Sequence, residues 1–144
     1  MANDLLVEKA KVAGILIEGE SAPAFAVAIG IGVNCAAHPD KIDYPAADLA
    51  GLGALVVPDA LLQELSRAMQ KRLEQWKGGL GFSATRADWL KRAAGLGETL
   101  HVRLPERELS GRFQGLDDAG RLLLDQAGRV TAVTAGEVFG FGGC

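Results

Sequence analysis

The sequence predicts an α+β chain in two parts, a mixed β-sheet with helices followed by a small β-barrel. Three observations carry this. Strand-like apolar runs fill the first third, a 3.6-residue apolar stripe follows in the middle, and short alternating runs crowd into the last 48 residues. The 144 residues suit a chain near the roughly 150-residue domain scale. Apolar residues make up 49% and charged residues 23%, ordinary globular usage that argues against disorder.

The first two strands are expected over Asn3–Val7 and Lys11–Ile17, joined by Glu8-Lys9-Ala10 in a hairpin with Val7 facing Lys11 and Asp4 facing Gly14. Turn residues occupy Gly19 to Pro23. The run Phe25–Val33 is almost wholly apolar and reads as a strand buried on both faces. From Asn34 to Gly53 the periodicity is lost, which marks a long connection of the kind that binds ligands.

A helix then starts at Pro58 or Asp59. Leu61, Leu62, Leu65, Ala68, Met69, Leu73 and Trp76 form its apolar stripe, read as core, and Gly78-Gly79 ends it. A second, short helix fits residues 85–94 before Gly95. Beyond Gly97, Leu100/Val102/Leu104 and Leu109/Gly111/Phe113/Gly115 alternate. Asp117–Gly120 and Ala127-Gly128 are turn signals, and 122–124 and 130–133 supply further strands. The expected domains are residues 1–96 and 97–144.

Charge and cysteine usage exclude several functions. The balance of 15 Lys+Arg against 18 Asp+Glu gives −3 with no dominant basic stretch, against nucleic acid or an anionic membrane as main partner. No run is long and apolar enough to span a bilayer, and acidic residues near the start exclude a secretory signal. Cys35 and Cys144 are too few and too far apart for a disulfide framework or a zinc site, so a reducing cytoplasm is the expected compartment.

The first hairpin holds the strongest candidate site. Asn3 and Asp4 lie along a strand beside one that opens with Lys11, and Gly14 opposite Asp4 leaves room for a ligand. Lys11 serves there either as a fixed point charge or as an edge-strand lysine kept for solubility. Gly30-x-Gly32-x-Asn34 ends the third run. Its glycines allow close approach of a ligand or of another backbone, and Asn34 offers both a donor and an acceptor. The pattern is neither a phosphate loop nor a dinucleotide-binding fingerprint. Tyr44 in the long connection either stacks on a base or anchors the loop. His38 and His101 are lone histidines and read as structural.

Taken in order, Asn3–Val7, Lys11–Glu18 and Ile29–Asn34 resemble the central motifs of biotin protein ligases. Tyr44–Leu49 is similar to that family's next loop, Trp89–Ala93 with Gly97-Glu98 to its linker, and Leu109–Asp117 with Gly136–Val138 to its C-terminal barrel of the Src-homology-3 type. The resemblance covers nearly the whole chain. It departs at the start, where Met1-Ala2-Asn3-Asp4 stands in place of Trp-Pro-Asn-Asp, so the upstream half of the family's catalytic domain, with its Gly/Arg-rich loop, is expected to be missing.

What the resemblance implies is a partial biotin/lipoate-ligase-type sheet and a two-step reaction. Biotin and MgATP give biotinoyl-adenylate, and a lysine of a biotin carboxyl carrier protein then takes the biotin. Lys11 matches the family's charge-neutralising lysine. Asn3 and Asp4 match a pair that contacts magnesium and phosphate or orients the incoming lysine. Asn34 matches the residue that meets adenine, Gly14, Gly30 and Gly32 match the backbone floor, and Tyr44 is assigned to adenine by loop position. Two other readings stand beside this one: a non-catalytic partner module of the same fold, and a lipoate ligase relative. An exposed sheet edge in a partial domain also implies a homodimer.

Overall fold

The computed structural model describes residues 3–21, 25–134 and 136–141. The chain forms two compact units, Ala2–Ser66 and Arg67–Cys144. The expected turn at Gly19–Pro23 falls partly outside the described residues, and Cys144 falls wholly outside them. Among the described residues, no helix is long and apolar enough to cross a membrane.

The first unit is built on a three-stranded antiparallel sheet in the order β1-β2-β3, with β1 at Asp4–Val7, β2 at Ala10–Glu20 and β3 at Ala26–Val33. Its first hairpin is tighter than the sequence suggests. Val7 pairs with Ala10, not Lys11, around a two-residue turn of Glu8 and Lys9, both at positive φ (50° and 71°). Two left-handed residues match the right-handed twist of the flanking strands, a geometry in which Asn-Gly is preferred. Exposed Lys9→Gly is therefore expected to raise stability by about 1 kcal/mol, read from denaturant unfolding. An unchanged midpoint would mean that this turn carries no strain.

Asp4 still faces Gly14, as expected. The register slips between Leu5, which faces Ala13, and Leu6, which faces Lys11, so a β-bulge at Val12 absorbs the shortened turn.

The third strand departs from expectation. Its apolar run predicts burial on both faces, yet Val27 is 46% exposed and Ile29 43%, and Leu16 and Ile17 on β2 are exposed as well. An uninterrupted apolar run records what a strand is suited to pack against. Among the described residues, β3 is one of the sheet's two outer strands and most of it is exposed.

Residues 34–57 form the long connection, and helix α1 (Pro58–Trp76) follows with Pro58 inside its first turn. The α1 stripe predicts a core face, but no residue of the helix is fully buried, and Leu62, Leu73 and Trp76 are all exposed. The periodicity identified the helix correctly without establishing how completely its apolar side is covered.

In the second unit α1 gives way to a short 3-10 turn, Lys77–Gly79, and then α2 (Phe82–Leu90), which begins three residues earlier than expected and stops short of Gly95. A five-stranded antiparallel sheet of the Src-homology-3 type follows in the order β7-β6-β5-β4-β8. Its strands are β4 (Thr99–Arg103), β5 (Glu108–Leu116), β6 (Leu122–Gln126), β7 (Arg129–Val133) and β8 (Glu137–Phe141). The alternation places Leu100, Val102, Phe113, Leu124 and Val133 in one buried core, with Trp89 of α2 edge-on to Phe113 at 6.3 Å between ring centroids. Gly111 must be glycine, because a Cβ there would come within 2.9 Å of the Asp125 carbonyl oxygen. Asp117 caps its own turn by accepting hydrogen bonds from the Ala119 and Arg121 amides.

Candidate functional site

The candidate residues converge at the turn-proximal end of the three-stranded sheet. The bulge at Val12 decides this. In an unbroken ladder, Lys11 and Gly14, three residues apart, would point to opposite faces. The bulge returns Lys11 to the face of Asp4 and Gly14, and its Nζ lies 2.8 Å from Asp4 Oδ1. Gly14 makes this possible, since a Cβ there would stand 3.2 Å from Lys11 Cε and 3.3 Å from Nζ. The space opposite Asp4 is thus crossed by the Lys11 side chain, where the sequence suggested room for a ligand.

Gly14 pairs directly with Gly32 on β3, and nothing lies within 4 Å of a Cβ placed at Gly32. Together they form a flat floor to an open cleft of about 370 Å³. Lys11, Val33 and Asn34 line it from the sheet side, and Pro39, Ile42, Tyr44 and Ala46 from the long connection. The Tyr44 ring is 49% exposed, with its centroid 5.3 Å from Lys11 Nζ, so a cation and an aromatic face share one wall.

Other candidates are placed differently. Gly30 faces Leu16 one step further along β3 and does not line the cleft. Asn3 gives its carbonyl to the Ile15 amide at 2.8 Å, and the residue as a whole is exposed. Asn34 uses its side-chain amide within the protein, where Nδ2 donates to the Ala47 carbonyl at 3.0 Å and to that of Lys11 at 3.4 Å. It therefore ties the loop to β2, with Oδ1 left as its acceptor.

Residues to which the sequence assigns no chemistry complete the frame. Ala46 forms a parallel bridge with Lys11, so the loop adds a short fourth rung to the sheet. Asp48 is buried, accepts from the Gly51 amide at 2.7 Å, and pairs with His38 Nδ1 at 2.6 Å. The spacing Asp-x-x-Gly was a legible turn signal. The histidine partner, ten residues earlier, was not.

The charges behave as this geometry requires. Burial works against ionisation of Asp4, yet the hydrogen bond from Lys11 leads the interactions that hold its carboxyl below the ordinary value. The same bond to Asp4 raises Lys11, against burial. The pair's contribution to stability is therefore complete between the two unperturbed values, about 3.9 and about 10.4. It is lost as pH falls through the depressed value of Asp4 or rises through the elevated value of Lys11. NMR titration should place the Asp4 carboxyl below the ordinary carboxylate value, and Lys11→Met should return it toward that value. An Asp4 that titrates normally in the unaltered chain would exclude the contact in solution.

Gly14→Ala probes the same packing. The added methyl forces the end of a flexible side chain to shift by a few tenths of an ångström without disturbing backbone, so the fold is expected to survive while the Lys11–Asp4 contact is weakened. Amide spectra and the Asp4 titration would read the two effects separately.

Comparison with known proteins bears on the chain's family and fold. The family profile "Biotin protein ligase C terminal domain" matches residues 95–139. The biotin–[acetyl-CoA-carboxylase] ligase of Paracoccus denitrificans is 39% identical over 98% of this chain and 61% of its own length, and that of Mycobacterium tuberculosis is 36% identical over 94% and 50%. The fold is that of Aquifex aeolicus biotin protein ligase, with a TM-score of 0.79 at 23% identity over 95% of this chain and 61% of that one. The same Aquifex aeolicus protein in complex with biotin and ATP gives the same score. The chain spans only about half to three fifths of the length of these relatives. With the ordered motifs, the matched fold and the related sequences all in agreement, the chain belongs to the biotin protein ligase family.

Proposed function

We propose that this chain carries the nucleotide-side and transfer-side portion of an ATP-dependent biotin protein ligase site, with residues 1–96 as part of the catalytic domain and 97–144 as the C-terminal domain. The carrying observation is the Lys11 ammonium held 2.8 Å from Asp4 over the Gly14–Gly32 floor of an open cleft.

The chemistry needs such a cation. The biotin carboxylate attacks the α-phosphorus of ATP and pyrophosphate leaves. An acceptor-lysine amine then attacks the acyl carbon of biotinoyl-adenylate and AMP leaves. The first step brings two anions together, so a preorganised positive charge offsets repulsion in the ground state and the charge that builds in the transition state. Lys11 supplies it. Asp4, with its carboxyl held below the ordinary range, is a weak proton acceptor at neutral pH, so its role is to fix the ammonium and orient the incoming amine rather than to act as general base. The open face of Gly32 lets phosphate or adenine lie against backbone, Tyr44 offers a stacking face, and Asn34 keeps Oδ1 as an acceptor for an exocyclic amine.

Magnesium is a matter for the substrate. Among the described residues no group of three His, Cys, Asp or Glu side chains is arranged to hold a metal. A magnesium ion carried on the phosphates needs only one or two carboxylates from a protein, and Asp4 fits that requirement. When bound, the ion would neutralise phosphate charge beside Lys11. The acceptor is a biotin carboxyl carrier protein, and the compartment a reducing cytoplasm. The exposed apolar edge of β3 supports self-association as a homodimer, which scattering would detect; a monomer at high concentration would exclude it.

A second reading rests on the same open cleft: a partner module of the same fold that holds substrate without turning it over. One experiment addresses both. MgATP added to the chain is expected to shift the amide signals of Gly14, Gly32 and Asn34, with little or no biotinoyl-adenylate formed when biotin is added. Unchanged spectra would remove the nucleotide assignment. Efficient adenylate formation would remove the partner-module reading.

A further inference from the structure

Asp48 is the buried charged side chain among the described residues, and the Lys11–Asp4 chemistry does not use it. A carboxylate at 9% exposure needs compensating donors. It has two, each from a different part of the same loop: the Gly51 amide from the returning limb, and His38 from the outgoing limb. The two limbs are further tied by the Leu49 amide to the Asn34 carbonyl and the Ala50 amide to the Cys35 carbonyl, at 2.9 and 3.0 Å.

The returning limb is what holds Lys11. The Lys11 amide donates to the Pro45 carbonyl at 2.8 Å, and the Lys11 carbonyl accepts from the Ala47 amide at 3.0 Å. Both backbone groups of the cleft lysine are thus bonded to a loop segment that has no regular secondary structure of its own. Lys11 also sits beside a bulge, where the ladder to β1 is interrupted, so the loop supplies pairing that the sheet does not. The conformation of residues 45–47 therefore determines where the lysine backbone lies.

We propose that Asp48, backed by His38, is a positioning residue for Lys11: by joining the two limbs of loop 35–51 it holds residues 45–47 in the shape that clamps the lysine's backbone over the cleft floor. Neither side chain needs to touch substrate. The inference takes from the functional reading only that Lys11 is the residue whose position matters.

Amide hydrogen exchange on the whole chain tests the clamp directly. Asp48→Ala is expected to speed exchange of the Lys11 and Ala47 amides by about tenfold or more, while Val102 and Leu124 in the other sheet keep their protection. Asp48→Asn retains an acceptor for the Gly51 amide and is expected to fall between the two. His38→Ala alters a partly exposed side chain that the fold can spare, and is expected to loosen the same two amides to a smaller extent, which keeps the test decisive should Asp48→Ala fail to fold. Unchanged protection of Lys11 and Ala47 in His38→Ala and Asp48→Asn would overturn the proposal. So would loss of protection spread evenly over both sheets. The exchange result stands whether or not the chain binds MgATP, and absence of MgATP binding by the unaltered chain would count against the functional reading alone.

Discussion

Lys11→Ala, introduced into a complete ligase that contains this chain, is expected to slow biotinoyl-adenylate formation by about 100- to 1,000-fold, or about 2.7–4 kcal/mol in barrier height. The magnitude follows from what is lost: a charge already in place, held by Asp4 and by the loop, which needs no reorganisation as the reaction proceeds. The effect should fall on the rate more than on biotin affinity, because the charge the lysine offsets is greatest in the transition state. Asp4→Asn leaves the ammonium in the cleft and removes only its anchor, so a smaller loss is expected. Lys11→Arg is not a conservative change here. A planar guanidinium spreads its charge over several atoms, where Lys11 presents a compact ammonium 2.8 Å from Asp4. Single-turnover measurement of adenylate formation separates these cases. A Lys11→Ala rate within about threefold of the unaltered enzyme would take the lysine out of the mechanism.

The largest expected effect on stability lies in the other unit. Phe113→Ala should cost about 3–5 kcal/mol, through lost transfer energy and the cavity left behind. Phe113 is 2% exposed, packs among Leu100, Val102, Leu124 and Val133, and meets Trp89 edge-on. Set against the roughly 5–15 kcal/mol of a typical domain, that loss is a large fraction of the whole. Phe113→Leu keeps most of the volume and should cost clearly less. Urea unfolding followed by tryptophan fluorescence reports on the site itself, since Trp89 is the neighbour. A change below about 1 kcal/mol for the alanine variant would show that this sheet is not the cooperative core that its burial indicates.

The contrast between these two residues shows what is legible in one dimension. Phe113 was accessible from the sequence, because alternation at 109, 111, 113 and 115 assigns its face to the interior wherever the strand goes. The turns at Asp117–Gly120 and Ala127-Gly128 were equally plain, since few residues satisfy that backbone and those residues were present. The helix over 58–76 was legible for the same kind of local reason. Its degree of burial was not, because burial belongs to whatever lies opposite.

Lys11 is the harder case. The sequence supplied the residue types of the site and, through ordered motifs, the family. It did not supply the register. A three-residue loop and a regular ladder would have sent Lys11 and Asp4 to opposite faces. A two-residue turn and one bulge put them on the same face, 2.8 Å apart. The loop's clamp on the lysine backbone and the His38–Asp48 pair were likewise invisible, because each joins positions whose proximity depends on how an irregular segment folds back. Local sequence determined the strands, the turns and the alternating core of this chain, since backbone sterics and side-chain periodicity act over a few residues. Tertiary structure alone decided which side of the sheet the charge occupies, since a one-residue slip in pairing inverts every side chain beyond it.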